Sequence, residues 1–299
     1  MRLLPLLLLF FITCSQEGIY HKTYDFDLQG HRGARGLLPE NTIPGFLKAV
    51  DLGVDTIEFD VVVTKDHKLL ISHEPWFNHK ISTKPDGNPV TESEAMDLNI
   101  YEMTYEETKQ YDVGKRGNAE FPRQQPMEVT KPLMIDAILA IEKHIEENSY
   151  DPVYYNIETK SRPEHYDIMV PPPDEFARLV YEELSGLNIL NRVIIQSFDV
   201  NTLIAMREID PDVTLALLVD NRDSLEENLD KLGFIPEIYS PYFKLLNSNI
   251  VRSAQEKGMK VIPWTINNVS EMILQLEMGV DGIITDYPDI ALPLKNADS

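Results

Sequence analysis

The sequence contains a single cysteine, Cys14, so the remainder of the chain can form no internal disulfide. The stability of the fold must therefore come from a packed core. Cationic side chains are also scarce, because 27 lysine and arginine residues face 49 aspartate and glutamate residues and the formal net charge is −22. This balance argues against nucleic acid and against an anionic membrane surface as direct partners. A phosphate-bearing substrate would also be repelled, unless a metal ion and a few basic residues supply local positive charge.

The N-terminus lacks an apolar run long enough to cross a bilayer, which takes about 20 residues. Leu3 to Ile12 forms a ten-residue apolar stretch after Arg2 and shortly before Cys14. This order is typical of a cleaved secretory signal, here 1–13, and the cysteine at the cleavage point resembles a bacterial lipoprotein signal. We therefore expect export to the periplasm or cell envelope, lipidation of Cys14 as a membrane anchor, and a tether at 14–24. The alternative is an ordinary signal peptide with an incidental cysteine.

The pattern beyond the leader predicts strands and helices in strict succession, with no internal repeat. This alternation indicates a parallel sheet with helical crossovers. Eight predicted strands favour a closed (β/α)8 TIM-type barrel over an open doubly wound sheet, and we expect residues 25–299 to form one such domain. The strands are predicted at 25–30, 56–64, 153–158, 192–197, 214–219, 237–240, 260–265 and 282–285.

The second predicted strand is followed by a piece that does not fit this alternation. Residues 65–68 form a turn, and a connection of this length cannot cross over to a parallel neighbour, so 69–72 should return as an antiparallel hairpin. Residues 74–132 then carry little regular structure beyond one short helix near 105–111. Irregular segments of this length are often functional. We expect this excursion to lie near the active-site mouth; a passive surface insertion is the alternative.

Polar side chains follow the ends of the predicted strands. In barrels of this type the catalytic groups lie at the C-terminal ends of the strands, so these side chains should meet at one opening. They are His31, Arg32, Glu58, Asp60, His73, Glu158, Lys160, Gln196, Ser197, Trp264 and Asp286.

Three carboxylates stand out in this group. Glu58 and Asp60 are two residues apart on a strand, so they share a face and repel each other unless a proton, a cationic side chain or a metal neutralises them. Glu158 adds a third carboxylate from the next predicted barrel strand. Three hard oxygen ligands suit Mg²⁺, Ca²⁺ or Mn²⁺ better than Zn²⁺, so we expect one divalent cation. Surface carboxylates satisfied by lysines are the alternative.

His31 and His73 can exchange protons near neutral pH, as an acid and base pair requires. Arg32 and Lys160 are placed to hold phosphate oxygens, although either could instead pair with a carboxylate. Structural roles are expected for the other histidines, which lie in predicted loops or helices. They are His21, His67, His79, His144 and His165.

The ordered motifs between about residues 29 and 288 carry a family resemblance. They are His31-Arg32-Gly33, Pro39-Glu40-Asn41-Thr42, Glu58-Phe59-Asp60-Val61, His73, Glu158-Thr159-Lys160, Gln196-Ser197-Phe198-Asp199, Trp264-Thr265-Ile266-Asn267 and Gly282 to Pro288. This set resembles the glycerophosphodiester phosphodiesterase family in its short bacterial form. The resemblance implies a TIM-type barrel and metal-dependent hydrolysis of glycerophosphodiesters to sn-glycerol 3-phosphate and an alcohol. Glu74 stands where the family usually has an aspartate after the histidine.

Residue roles also follow from the resemblance. Carried over by position, the three carboxylates look like the metal ligands, His31 and His73 like the acid and base, and Arg32 and Lys160 like the phosphate-binding residues. Trp264 is similar to an aromatic residue that lines the pocket. Two other functions stay open at this point: a phosphodiesterase for another lipid head group such as phosphoinositol, and a non-catalytic surface lipoprotein that binds a ligand. The second would need no acid and base pair.

Overall fold

The structure is a computed structural model that describes residues 22–295. The predicted signal at 1–13 and the predicted lipidation site Cys14 lie outside the described residues, as does His21. Within them the chain forms nine strands. The strands are β1 Asp27–Gly30, β2 Thr56–Val63, β3 Leu69–Ile71, β4 Tyr154–Thr159, β5 Val193–Ser197, β6 Thr214–Val219, β7 Ile238–Pro241, β8 Lys260–Val261 and β9 Gly282–Thr285.

Eight of these strands are parallel neighbours in the order β8-β7-β6-β5-β4-β2-β1-β9. The remaining seam lies between β8 and β9. Three backbone hydrogen bonds cross it, from Asp281 N to Val261 O (2.9 Å), from Ile284 N to Pro263 O (3.0 Å) and from Ile266 N to Ile284 O (2.9 Å). The sheet is therefore a nearly closed barrel, and the predicted (β/α)8 architecture is confirmed.

Strand β8 is shorter than the sequence pattern predicts. The expected strand spans 260–265, whereas the observed one ends at Val261. Pro263 has no N–H group to donate to a ladder, so regular pairing stops before it. Beyond the proline, Trp264 forms one isolated parallel bridge with Tyr242. The strand forms where the apolar pattern predicts it, but the proline shortens it.

The helices cover the outside of the barrel. Helix formation follows local signals, as in the first helix, where the Thr42 hydroxyl accepts from Gly45 N and Pro44 occupies the first turn. No helix among residues 22–295 combines the length and the apolar character needed to span a membrane. The helices are α1 Ile43–Asp51, α2 Tyr105–Thr108, α3 Met134–Asn148, α4 Pro173–Ser185, α5 Val200–Ile209, α6 Leu225–Leu232, α7 Ser248–Glu256, α8 Val269–Glu277 and α9 Pro288–Ala291.

The predicted hairpin is formed by β2 and β3, which pair antiparallel with Val61 opposite Ile71. The excursion at 74–132 packs against this hairpin through a second apolar cluster that is separate from the main core. Phe77 is fully buried in this cluster and stacks on Tyr111 with ring centroids 4.1 Å apart. The excursion and the hairpin thus share a second packed core.

The two ends of the described chain meet at the N-terminal face of the barrel. Tyr24 N donates to Leu294 O (2.8 Å). The Lys295 ammonium contacts the Asp55 carboxylate (2.5 Å) and the Phe26 carbonyl (3.0 Å). This contact lies beside the starts of β1 and β2, on the face opposite the strand ends that carry the predicted site.

The barrel interior contains a column of buried amide side chains. The Asn156 amide donates to Gln29 Oε1 (2.8 Å) and to Gln196 Oε1 (3.1 Å), and the Gln196 amide donates to Glu58 Oε1 (2.9 Å). Buried amides are stable only when they are hydrogen-bonded in this way. The column therefore fixes the orientation of Glu58 from inside the barrel.

Candidate active site

The three predicted carboxylates lie together at the C-terminal ends of neighbouring strands. Glu58 and Asp60 belong to β2, and the register of β2 with β4 places Asp60 opposite Glu158. One oxygen from each residue lies within 4.8 Å of the others, and all three side chains are buried. The shared strand face that the sequence predicted is therefore present, with the third carboxylate beside it.

The arrangement of this cluster fits a divalent cation. Asp60 Oδ1 is buried and has no hydrogen-bond partner. The Lys160 ammonium is the nearest cation, 2.6 Å from Glu158 Oε1 and 3.6 Å from Asp60 Oδ1. Three hard oxygen donors without sulfur or imidazole form a donor set that Mg²⁺ and Ca²⁺ accept. The cluster could hold such a metal.

The charge around the cluster is also incompletely balanced. Six buried or partly buried carboxylates interact with four cationic side chains, so the formal charge is −2 when every carboxylate is ionised and the histidines are neutral. One divalent cation would neutralise it. The carboxylates are Glu40, Glu58, Asp60, Glu74, Glu158 and Asp286, and the cations are Arg32, Arg35, Lys131 and Lys160.

The pKa values in the cluster follow from burial and mutual repulsion. Burial, followed by the charges of Asp60 and Glu158, raises the pKa of Glu58 well above its usual value. Burial also raises the pKa of Glu158, to about 7, although Lys160 opposes the shift. Burial alone would raise the pKa of Asp60 too, but Arg32 and Lys160 outweigh it and hold this pKa well below the usual range. The metal-free cluster therefore retains protons near neutral pH.

His31 is held by a carboxylate from the last strand. Its Nδ1 lies 2.6 Å from Asp286 Oδ1, and the Asn267 amide donates to Asp286 Oδ2 (2.6 Å). Burial would raise the pKa of Asp286, but His31 and Arg35 lower it to about 2. Because this carboxylate is ionised, Nδ1 must be the donor. The other ring nitrogen, Nε2, is then free of this bond, and burial lowers the pKa of the ring.

His73 is also held by a carboxylate, that of the next residue, Glu74. Its Nδ1 lies 2.8 Å from Glu74 Oε1, and the Asn78 amide also donates to that oxygen (3.1 Å). Burial would raise the pKa of Glu74, but the hydrogen bond from His73 leads the effects that lower it to about 2. Burial, then Arg32 and Lys160, lowers the pKa of His73 to about 4. Glu74, which stands where the family usually has an aspartate, therefore orients the imidazole.

Arg32 and Lys160 both pair with carboxylates, as the alternative interpretation allowed. The Arg32 guanidinium lies 2.6 Å from Glu40 Oε1 and 3.2 Å from Asp60 Oδ2, and its backbone N donates to Glu58 Oε2 (2.8 Å). The Lys160 ammonium contacts Glu158, as described above. Both side chains nevertheless border the open pocket. The contacts hold them at the edge of the acidic cluster.

These groups open into one pocket of about 680 Å³. Seven of the eight residues to which the resemblance assigns a role line it, and Asp60 lies beneath them with no exposed surface. Aromatic side chains form the outer wall. Trp264 donates its Nε1–H to Ser240 O (2.9 Å) and packs edge-on against Phe198, with centroids 5.4 Å apart. The structure thus brings all eight residues together, while their individual roles remain predictions.

Several residues in the pocket or beside its lining had no role assigned from the sequence. Glu40 lies in a quoted motif, yet its contact with Arg32 depends on the folded loop. His165, expected to be structural, lines the pocket and faces Trp76 from the excursion, with centroids 6.3 Å apart. Lys131 is buried behind His73, and no local pattern marks it. His67 and His144 instead pair with Glu175 and Asp51, and neither lines the pocket.

The fold and the site define a (β/α)8 barrel with an acidic cluster and two carboxylate-bound histidines at the C-terminal face. The sequence model described as the glycerophosphoryl diester phosphodiesterase family matches residues 31–290. The chain therefore belongs to this family of phosphoric diester hydrolases, as the ordered motifs predicted.

Individual proteins agree with this assignment. A glycerophosphodiester phosphodiesterase of Bacillus subtilis (strain 168) is 28% identical over 266 residues, covering 87% of this chain and 83% of the relative. A crystal structure of a candidate glycerophosphoryl diester phosphodiesterase from Silicibacter pomeroyi DSS-3 aligns with a TM-score of 0.80 and 27% identity, covering 91% and 93% of the two chains. An Oleispira antarctica phosphodiesterase in complex with the product sn-glycerol-3-phosphate shares the fold, with a TM-score of 0.71, 22% identity, and coverage of 91% and 97%.

Proposed function

We propose that the protein hydrolyses glycerophosphodiesters to sn-glycerol 3-phosphate and an alcohol, with the help of one divalent cation. The observation that carries this proposal is the meeting of three buried carboxylates with two histidines in one pocket. A site for binding alone would need no pair of groups able to move protons. The Oleispira phosphodiesterase of the same fold, described with sn-glycerol-3-phosphate as product, supports the choice of product.

Glu58, Asp60 and Glu158 would hold the cation. The all-oxygen donor set favours Ca²⁺ or Mg²⁺, with Mn²⁺ as a further candidate. When bound, the cation would supply positive charge that offsets the negative charge of the phosphodiester. Arg32 and Lys160 border the same pocket and would stabilise charge that develops on the phosphoryl oxygens.

The histidines would move the protons. Each donates Nδ1–H to an ionised carboxylate, so each can present Nε2 to the substrate. One would accept the proton of the nucleophile, and the other would protonate the leaving alkoxide. The nucleophile is either water, which gives sn-glycerol 3-phosphate directly, or the glycerol 2-hydroxyl group, which gives a cyclic phosphate that water then opens. Each such transfer is worth roughly 10² to 10⁴ in rate. The low pKa of His73, about 4, keeps that ring neutral at pH 7, as a base requires.

The location of the enzyme is a separate part of the proposal. The leader and the position of Cys14 support export and anchoring of the protein to an envelope membrane through a lipid on this cysteine. Expression in a bacterial host with labelled palmitate tests this directly. The wild-type protein should take up label and sediment with membranes, and Cys14→Ser should do neither. Equal labelling of both proteins would rule out lipidation at Cys14.

One assay tests the enzymatic proposal. The purified protein is incubated with glycerophosphocholine, glycerophosphoethanolamine and glycerophosphoinositol, before and after chelation. We expect release of sn-glycerol 3-phosphate, loss of activity with chelator, and recovery with Ca²⁺, Mg²⁺ or Mn²⁺. No turnover of any diester with these ions restored would overturn the enzyme proposal. Full activity in excess chelator would overturn the metal requirement alone.

A further inference from the structure

Lys131 is a buried cation that none of the steps above uses. It is 4% exposed and lies next to the end of the excursion, just before α3. Its ammonium donates to Ser72 Oγ (2.8 Å) and lies 5.6 Å from the centroid of the Phe77 ring. Among the described residues this is its only side-chain hydrogen bond. Lysine is almost never fully buried without a charged partner, so this placement requires an explanation.

The Ser72 hydroxyl links Lys131 to the segment that carries His73. This hydroxyl donates to the Glu74 carbonyl (2.6 Å). Its one proton is used in that bond, so toward Lys131 the oxygen can only accept. The chain of contacts therefore has a fixed direction, from the Lys131 ammonium through Ser72 to the Glu74 backbone. The Glu74 side chain in turn holds Nδ1 of His73.

Packing alone does not need this charge. The end of the excursion is already attached to β3 by the hydrogen bond from Ile71 N to Pro132 O (2.9 Å) and by an antiparallel bridge between Leu70 and Leu133. An apolar side chain of similar length would fill the volume beside Phe77. What the ammonium adds is a directed hydrogen bond and positive charge behind Glu74.

The electrostatics agree with this geometry. Burial lowers the pKa of Lys131, and the carboxylates of Glu74 and Glu40 oppose that shift. Lys131 in turn is among the charges that lower the pKa of Glu74. Each charge thus favours the ionised form of the other, although their charged groups do not touch.

We propose that Lys131 is a positioning residue that acts through Ser72 and Glu74 to hold His73 in its Nδ1–H tautomer, facing the pocket. The excursion would then supply a residue that supports His73 from the side away from the pocket, in addition to the residues that line the pocket. This proposal rests on the proposed function for its kinetic consequences, but the tautomer of His73 can be measured without turnover.

The test compares Lys131→Met, Lys131→Arg and Ser72→Ala, with Lys115→Met as a matched control on an exposed lysine of the same excursion. We expect Lys131→Met to lower kcat about tenfold to a hundredfold with KM within about twofold, as misplacement of a reacting group does. Lys131→Arg should recover most of kcat, Ser72→Ala should lose kcat as Lys131→Met does, and Lys115→Met should match the wild type. In ¹⁵N spectra of the imidazole, His73 should hold one tautomer in the wild type and both in Lys131→Met and Ser72→Ala.

Wild-type kcat in Lys131→Met would overturn the proposal, as would equal losses in the Met and Arg variants, which would indicate packing. If Lys131→Met fails to fold, Ser72→Ala decides: an unchanged tautomer and kcat there would overturn the proposal. If the wild-type protein cleaves no diester, but His73 holds one tautomer in it and both in Lys131→Met and Ser72→Ala, the proposed activity is contradicted and the positioning role of Lys131 is still supported.

Discussion

Asp286 is the residue on which the chemistry of His31 depends most directly. Replacing it with Asn keeps the size of the side chain but removes the charge that makes Nδ1 the donor. The ring would then adopt the wrong tautomer for part of the time. Changes of this kind in a histidine–aspartate pair can cost up to about 10⁴ in kcat. We expect Asp286→Asn to lower kcat by about 10² or more, with little change in KM.

The natural control for this variant is Asp289→Asn. Asp289 lies three residues later and pairs with Arg123 at the surface instead of with a histidine. Steady-state kinetics on both variants, with circular dichroism to check folding, measures the difference. Equal kcat values for the two variants would show that Asp286 does not set the state of His31.

Glu158 gives a prediction about metal binding and pH. Its pKa in the metal-free protein is raised to about 7, and a carboxylate must lose its proton before it can bind a metal. Apparent metal affinity should therefore fall as the pH drops below 7, by about tenfold per unit for each proton that Glu158 or Glu58 must release. Calorimetric titration with Mg²⁺ or Ca²⁺ at pH 6, 7 and 8 measures this.

The variant Glu158→Gln, which has no proton to lose at this position, should bind metal more weakly and with a flatter pH dependence. An affinity that is the same at pH 6 and pH 8 in the wild-type protein would contradict the assigned state of Glu158.

At this scale the sequence predicts which residues meet in the pocket, but not which carboxylates bind His31, His73 and Arg32. The strand-end rule identifies His31 and Asp286 separately, because each follows a strand. It cannot show that they touch, since 255 residues separate them. Glu40 is missed for a similar reason: its bond to Arg32 requires a folded loop in which Arg32 adopts a left-handed backbone with φ of 49°.

At the scale of elements, the seam between β8 and β9 is the one place where neighbouring barrel strands of the described chain form no regular ladder. Three backbone hydrogen bonds cross it, whereas the β2–β4 ladder has six register pairs. We expect the seam amides of Asp281, Ile284 and Ile266 to exchange with solvent at least about tenfold faster than those of β4, because fewer hydrogen bonds must open together.

Hydrogen exchange followed by NMR tests this expectation. Amides of β9 that face β1 provide the internal control, because they belong to the same strand but to a ladder with four register pairs. Equal protection on both sides of β9 would mean that the barrel opens only as a whole.

The elements themselves were largely predictable. Their alternation, the Thr42 cap and the short turn after β2 are local signals. The excursion was predictable only as a departure from the alternation. Its packing around Phe77 and the burial of Lys131 depend on contacts with the hairpin, which no local pattern of residues encodes.

At the scale of the whole molecule, the net charge of −22 opposes the approach of anionic substrates. Raising the ionic strength from about 10 to 150 mM shortens the screening length from about 30 to 8 Å. The value of kcat/KM for glycerophosphoinositol, which carries a net negative charge, should therefore rise with salt. Glycerophosphocholine, which is zwitterionic, should respond much less and serves as the control.

Kinetics at fixed metal concentration across this range measure the effect. A fall in kcat/KM for glycerophosphoinositol with added salt would show that the local cations Arg32 and Lys160 dominate the field over the approach path, in place of the global charge.

The meeting of the two chain ends beside Lys295 has a consequence for orientation. Tyr24 lies at the N-terminal face of the barrel, opposite the pocket. If Cys14 carries a lipid, a tether at 14–24, which reaches at most about 40 Å, joins the bilayer to the N-terminal face. The pocket would then point away from the bilayer that anchors it. An enzyme held in this direction would draw on diesters dissolved in the surrounding water, after their acyl chains have been removed, and would leave the intact lipids beneath it untouched.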